Sequence, residues 1–328
     1  MPTLAELEAA ADLVHAVMPP TPQIAWKLLA ARVGADLWVK HENHTPIGAF
    51  KVRGGLVYMA DLRKSEPAIK GVISATRGNH GQSIALAAQR HGLTATIVVP
   101  HGNSREKNAA MRALGAELVE HGSDFQAAAE HAAMLADTRR LHFVRSFDAR
   151  LVAGVASYAL ELLRGVADLD TVYVPIGLGS GICGMIAARD ALGLRTRIVG
   201  VVASGAPAYA LSFTAGKPVS TNSADTMADG LACRVPAPPA IEIILKGAER
   251  IVTVEESEIR AAMRHLFTDT HNVAEGAGAA TLAALLKEKD RMAGKRVAIV
   301  LSGGNIDRAL YTEVLSEAQD CESPAQRR

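Results

Sequence analysis

The sequence predicts an α/β protein with two open, parallel-type twisted sheets flanked by helices. Three observations carry this. Short apolar runs alternate with helical stretches at the spacing of βαβ units, whose strands pair in parallel. The alternation comes in two sets, one ending near Ala136 and one beginning near Leu151. Several strand-to-helix junctions are rich in glycine, and ligands of open parallel sheets sit beyond the carboxyl ends of the strands, at such junctions.

Leu4 to Ala16 is a helical pattern led by acids, and Pro19, Pro20 and Pro22 force the following chain into extended or turned backbone. Asp36 to His41 reads as a strand. The first alternation has strands at Gly71 to Ala75, Thr94 to Val99 and Glu117 to Val119. Between and after them come helices at Gln82 to His91, Ser104 to Leu114 and Asp124 to Ala136, the first two stopped by Gly92 and Gly115. The second set has a helix from Leu151 to Leu163, a strand at Thr171 to Pro175, a helix from Gly181 to Leu192 and a strand at Arg197 to Val202. Gly205 to Pro239, with scattered Pro and Ser, reads as a long functional or mobile loop with little regular structure. Thr253 and Glu256 then have the spacing of a capping box, opening a helix with Ile259, Met263, Leu266 and Phe267 on one face. A helix from Ala279 to Leu286 and a buried strand from Arg296 to Leu301 follow, and the tail after Glu317, without apolar period, is expected to fray.

Composition excludes several classes. Lys and Arg total 35 against 34 Asp and Glu, so the chain has neither the basic footprint of a nucleic-acid binder nor a polybasic membrane-surface segment. The chain opens without a signal-peptide pattern and has no run of about 18 apolar residues, so no membrane span is expected and the expected compartment is the cytoplasm. Cys183, Cys233 and Cys321 are an odd set without metal-ligand spacing, which fits a reducing environment.

The stretch GAFKVRGG, Gly48 to Gly55, holds the most reactive candidate. Lys51 stands between Phe50 and Val52. An amine held beside apolar groups can lose its charge and act as an imine-forming nucleophile or base, although the same pattern fits a lysine whose stem packs while its head reaches water. SATRGNHGQ, Ser74 to Gln82, sets backbone N–H groups and the Asn79 amide at a helix N-terminus, an anion site unless it is a plain turn. In VPIGLGSGICG, Val174 to Gly184, four glycines let the main chain approach a phosphate. Gly179, Gly181 and Gly184 also match the G-x-G-x-x-G spacing of a nicotinamide dehydrogenase. That rival needs an acid at the end of the next strand, where Val201, Val202, Ala203 and Ser204 stand, so a phosphate without a ribose fits better. LSGGN, Leu301 to Asn305, places a hydroxyl at a strand end before a glycine pair.

Taken together, KHENHTPIGAFKVRGG, ATRGNHGQ, GLGSG, ADG at Ala228 to Gly230, and LSGGN resemble the ordered motifs of fold-type-II pyridoxal-phosphate enzymes of the serine/threonine dehydratase family, from about Pro19 to Asp307. The resemblance implies the tryptophan synthase beta-like fold, with a large cofactor-binding domain of residues 1–46 plus 151–328 and a small domain of residues 47–150 carrying the substrate-carboxylate loop. It implies pyridoxal 5'-phosphate bound covalently to Lys51, which then takes the Cα proton. Phe50 would lie against one ring face, Asn79 on the ring hydroxyl oxygen, and Ser302 at the pyridine nitrogen. The phosphate would rest on N–H groups of Gly177, Leu178, Gly179, Ser180 and Gly181, and the substrate on the loop of Ser74, Ala75, Thr76, Arg77, Gly78 and His80.

A serine at the ring nitrogen, unlike a carboxylate, makes the cofactor a weaker electron sink and favours prompt loss of a β-substituent. The expected reaction is β-elimination from a β-hydroxy-α-amino acid, threonine or serine or a 3-hydroxyaspartate- or phenylserine-like substrate, to a 2-oxo acid and ammonia. Racemisation, β-replacement and a non-catalytic amino-acid-binding role are the alternatives. Members resembling serine racemase carry metal-binding acids where Val202 and Ala208 stand, so no divalent metal is expected there. Racemases place a Ser where Arg77 stands, which argues against efficient racemisation. Arg77 is open to three readings: a clamp on a second carboxylate, a stacking partner for an aromatic substituent, or a partner of an acid such as Asp148. His41, Glu42 and His44 are candidates for the pocket wall or for a solvated strand end. About twenty residues follow the LSGGN strand, too few for the regulatory domain of the long biosynthetic dehydratases, so a catabolic role is expected. A homodimer is expected from the resemblance alone.

Overall fold

The structure is a computed structural model and describes residues 2–317. The chain runs α1 (Leu4–His15), β1 (Gln23–Ile24), α2 (Lys27–Val33), β2 (Asp36–His41), a 3-10 turn (Glu42–His44), α3 (Lys51–Ser65), β3 (Gly71–Ala75), α4 (Asn79–Arg90), β4 (Thr94–Val99), α5 (Arg105–Ala113), β5 (Glu117–Glu120), α6 (Phe125–Arg139), β6 (His142–Phe143) and α7 (Ala149–Gly165). It continues with β7 (Thr171–Pro175), α8 (Ser180–Ala191), β8 (Arg197–Ala203), α9 (Ala208–Ala215), a 3-10 turn (Asp229–Leu231), α10 (Pro238–Gly247), β9 (Arg250–Val254), α11 (Glu256–Thr270), α12 (Gly276–Lys287), α13 (Lys289–Met292), β10 (Arg296–Leu301) and α14 (Arg308–Ser316).

Two sheets organise these elements. One has strand order β1-β2-β10-β7-β8-β9 and the other β5-β4-β3-β6. Apart from β1, which runs antiparallel to β2 and pairs Gln23 with Lys40, the pairings are parallel. Both faces of the larger sheet are covered by helices, so its inner strands β10, β7 and β8 are buried on both sides and read as apolar runs. Along β10, Ala298 and Val300 enter one core while Val297, Ile299 and Leu301 enter the other. Along β3, Val72 packs on one side and Ile73 on the other.

The last strand, β10, lies between β2 and β7, while the chain leaves β7 in the opposite direction, through β8 to β9. The order therefore reverses between β7 and β10. A crevice opens there beyond the carboxyl ends of the strands.

Several expectations need correction. Gly205 to Pro239 contains α9 and the turn at Asp229–Leu231. The helix is short: Pro207 precedes it, Gly216 ends it with φ +67°, and Ala208, Tyr209 and Ser212 form its buried side. The box opening α11 is formed by Glu255 and Glu258, not by Thr253 and Glu256. Thr253 belongs to β9 and pairs with Val202, so the sheet takes the residue that the spacing assigned to the cap. Ile259, Met263 and Leu266 are buried on α11, but Phe267 is 38% exposed and meets His271 and Tyr311 edge-on. The short edge strand β1, directly after the proline-punctuated stretch ending at Pro22, is an addition. The tail after Glu317 lies outside the described residues.

Candidate active site

Lys51 is the first residue of α3, and its approach is set by a zipper between residues 48–50 and the chain leaving β10. Phe50 donates its N–H to the Ser302 carbonyl at 3.0 Å, Ala49 bridges Gly303, and Gly304 donates to the Gly48 carbonyl at 2.9 Å. Gly48 is required here: its φ is +67°, and a Cβ would lie 2.7 Å from Asn305 Oδ1. The zipper carries Lys51 to the end of β10, where Nζ donates to Ser180 Oγ at 3.0 Å and lies 5.0 Å from the Phe50 ring centroid. Burial lowers this amine from 10.5 to about 8.

Ser180 opens α8, directly after β7. Gly177, Leu178 and Gly179 form the intervening loop, and among the described residues their N–H groups have no protein partner. The first-turn N–H groups of α8 point the same way, as helix geometry requires. Leu178 is held from behind, its carbonyl accepting the Tyr209 hydroxyl at 2.8 Å. A Cβ on Gly177 would meet the Gly230 carbonyl oxygen at 2.1 Å, so the ADG segment closes over the loop with no room for a side chain. The result is a cup of unpaired donors at the positive end of a helix, suited to a phosphate.

The loop between β3 and α4 faces this cup across a cavity of about 370 Å³. Thr76, Arg77, Gly78, Asn79 and His80 line it, as do Phe50, Lys51, Gly177, Leu178, Gly179, Ser180, Gly181 and Ser302. Ser74 and Ala75 do not: they are β3 residues paired with Ile97 and Val98, and the Ser74 hydroxyl donates to the Val144 carbonyl at 2.7 Å. The Thr76 N–H goes to the Val98 carbonyl and the Gly78 N–H to Thr76 Oγ1. The donors left for a bound anion therefore begin at Arg77 and Asn79, further along the loop than the sequence places them. The His80 ring is buried with Nε2 unpartnered, and burial followed by the Lys51 charge lowers it to about 3.

A charged chain of contacts spans the cavity, and sequence reading missed most of it. Asn79 Nδ2 donates to Glu275 Oε1 at 2.6 Å, and Asn79 Oδ1 accepts from Asn305 at 2.8 Å. Lys107 Nζ lies 3.3 Å from Glu275 Oε2, an ion-pair distance without hydrogen-bond geometry, and donates to Asp229 Oδ2 at 3.2 Å. Arg77 Nη1 lies 3.5 Å from Asp229 Oδ1. Burial pushes the Glu275 carboxyl up despite the pull of Lys107 and Asn79, whereas for Lys107 the two acids outweigh burial and raise it. The EGAGA start of α12 was a legible hint for Glu275. Lys107, in the polar run REKN, carries no such hint.

Other candidates lie elsewhere. Asp148 caps α7 and pairs with Arg150, so Arg77 finds its acid in Asp229 instead. Glu42 is fully buried against Arg53, His41 accepts from Trp26 Nε1 at 2.9 Å, and His44 meets Asn272; none of the three lines the cavity. Val202 and Ala208 are buried in β8 and at the start of α9. No helix among the described residues is long and apolar enough to cross a membrane.

Residues 16–303 match the family model described as pyridoxal-phosphate dependent enzyme, and the chain belongs to that family. It is 34% identical to the L-threonine ammonia-lyase of Thermotoga maritima, over 97% of this chain and 79% of that one. It is 31% identical to the L-threo-3-hydroxyaspartate ammonia-lyase of Saccharomyces cerevisiae, over 98% of each. Among solved structures, maize serine racemase superposes with a TM-score of 0.89 at 26% identity, covering 95% of this chain and 96% of that one. The site fits the family's cofactor: an amine with lowered pKa stands next to a cup of unpaired N–H groups, and the close contact at Gly177 keeps that cup free of side chains.

Proposed function

We propose that the chain is a pyridoxal-phosphate-dependent ammonia-lyase that converts a β-hydroxy-α-amino acid to a 2-oxo acid and ammonium. The observation that carries the reading is the Lys51 amine, lowered to about 8 and set 3.0 Å from Ser180 Oγ between the phosphate cup and the loop beginning at Thr76. Bound there, pyridoxal phosphate supplies an electron-withdrawing ring that acidifies the substrate Cα–H. The cup from Gly177 to Gly181 would hold the phosphate, and the α8 dipole would favour its charge. Phe50 would lie against the ring, with Asn79 as the residue for its hydroxyl and Ser302 for its nitrogen, and all three line the cavity. The main chain from Arg77 to His80 receives the substrate carboxylate.

With its pKa near 8, about one-tenth of the Lys51 amine is neutral at pH 7. It can therefore take a proton from Cα, and the Ser180 hydroxyl, which accepts from Nζ, keeps the lone pair oriented. His80 stays neutral, so it adds no second positive charge beside Lys51. A serine hydroxyl at Ser302 would give the ring nitrogen no anionic partner, which would favour loss of the β-hydroxyl. The balance is R–CH(OH)–CH(NH3+)–COO− to R–CH2–CO–COO− plus NH4+. Racemisation is the lesser reading, because Arg77, paired with Asp229, stands where a racemase needs a proton donor.

Threonine, serine, 3-hydroxyaspartate and phenylserine are the substrates to compare, and the two ammonia-lyase relatives support the first and third. The reading includes a homodimer in the cytoplasm working in amino-acid breakdown. It also includes a small domain at 47–150 beside a large one at 1–46 plus 151–328. The test is the visible absorption of bound cofactor together with 2-oxo acid release from each substrate. A protein that never takes up the cofactor rejects the proposal.

A further inference from the structure

GAFKVRGG contains a second charged residue besides Lys51, and the active site makes no use of it. Arg53 lies two residues after Lys51 in the first turn of α3. At about 100° per residue their side chains leave the helix on nearly opposite sides, Lys51 into the cavity and Arg53 into the scaffold. The Arg53 guanidinium is fully buried. Nε and Nη2 fork onto Glu42 at 2.7 and 2.9 Å, and Nη1 and Nη2 fork onto Glu161 of α7 at 2.6 and 3.0 Å. Nη1 also donates to Ser157 Oγ at 2.9 Å. Lys40 pairs with the same Glu161, so two buried cations face two buried acids.

Such clusters add little net stability, because desolvating each ion costs several kcal/mol that the pairing only offsets. What the paired forks do supply is direction: two planar, bidentate contacts fix the rotation of the arginine about its helix. Backbone contacts hold the same turn. A Cβ on Gly154 of α7 would lie 2.4 Å from the Arg53 carbonyl oxygen, and Ser83 of α4 donates its hydroxyl to the Lys51 carbonyl at 2.6 Å. Rotation of α3 is thus constrained at the turn from which Nζ projects.

We propose that Arg53, held by Glu42 and Glu161, is the positioning residue for Lys51, fixing the direction of Nζ toward the substrate and cofactor. The inference rests on the function proposed above, and its test separates the two. Arg53→Lys keeps the charge and loses the forks. In cofactor-free protein mixed with pyridoxal phosphate and trapped with borohydride, the rate of Lys51 labelling, read by mass spectrometry, is expected to fall about tenfold or more. In the loaded enzyme kcat is expected to fall by a similar factor, with KM changed less than about twofold and the activity restored in no cofactor excess. Labelling and kcat that stay at wild-type level, whatever happens to the thermal midpoint, overturn the positioning role and leave Arg53 structural. If Arg53→Lys does not fold, Glu161→Gln, which keeps the acceptor's shape, decides on the same two readouts. A wild-type protein that binds no cofactor sinks the functional reading instead.

Discussion

Lys51 differs from a surface lysine in what surrounds Nζ: a serine hydroxyl and an aromatic ring, with no carboxylate at ion-pair distance among the described residues. Its lowered pKa has a direct consequence. In cofactor-free protein, the rate at which the visible band grows with added pyridoxal phosphate should rise with pH and level off above about 8; a rate still climbing toward 10 would show an ordinary, solvated amine. The folded amine also binds fewer protons than the unfolded one between about 8 and 10.5, so this group's cost to stability, full below 8, is relieved as pH rises through that window. At the far wall, Asp229 is shared between Arg77 and Lys107, and its charge offsets part of theirs. Asp229→Asn is expected to raise kcat/KM for 3-hydroxyaspartate relative to threonine by about tenfold, a shift of about 1.4 kcal/mol. An unchanged ratio in paired assays would remove Arg77 from substrate selection. His80, buried and neutral in the first turn of α4, reads as polar in sequence yet serves as uncharged wall in the fold.

Among the elements, strands were the most legible, because β3, β4, β7, β8 and β10 are buried on both faces and announce themselves as apolar runs. Helix starts were less so. Asn79 begins α4 three residues before Gln82, since its loop glycines mask the boundary, and α9 is too short to show a period. The α11 cap failed for a different reason, competition from strand pairing at Thr253. Glycine at the β7 to α8 junction has a sharper role than flexibility. Gly177→Ala forces the Gly230 carbonyl away, a cost of about 1–3 kcal/mol, and cofactor affinity measured by fluorescence titration should weaken by tenfold or more. Equal affinity in the variant would mean that the cup is not the phosphate site. The α3 to α7 contact carries its own pH signature. Burial pushes Glu161 up, but Arg53 and Lys40 more than reverse this and hold it at about 2. The stability it contributes is present above the ordinary carboxylate range near 4.5 and lost as pH falls toward 2, on the order of a few kcal/mol. Acid unfolding of Glu161→Gln, compared with wild type, should show a smaller loss over that interval.

At the scale of the whole molecule, the cavity is spanned by contacts between residues far apart in the chain. Asn79 meets Glu275 and Lys107 meets Asp229, pairs that no local pattern reveals. That Lys51, Asn79, the glycine loop and Ser302 would line one cavity was legible in the sequence because each sits in a compact glycine-containing motif. The charged chain joining the two sides of the cavity was not, because only the fold brings its members together. The crevice exists because β10 returns between β2 and β7, which sets the Ser302 turn beside the glycine loop and both against Lys51. A ligand bound across that crevice should stabilise the whole, by about 2.7 kcal/mol at a hundredfold excess over its dissociation constant. The decisive measurement is 2-oxo acid release from threonine by the cofactor-loaded protein, beside its Lys51→Ala variant under the same loading. With Lys51 as the imine-forming base, steady release and a visible band are expected in the wild type and both are lost in the variant, the rate by about a thousandfold or more. Release undiminished in Lys51→Ala, or a loaded wild type inert toward every β-hydroxy amino acid offered, would contradict the proposed function.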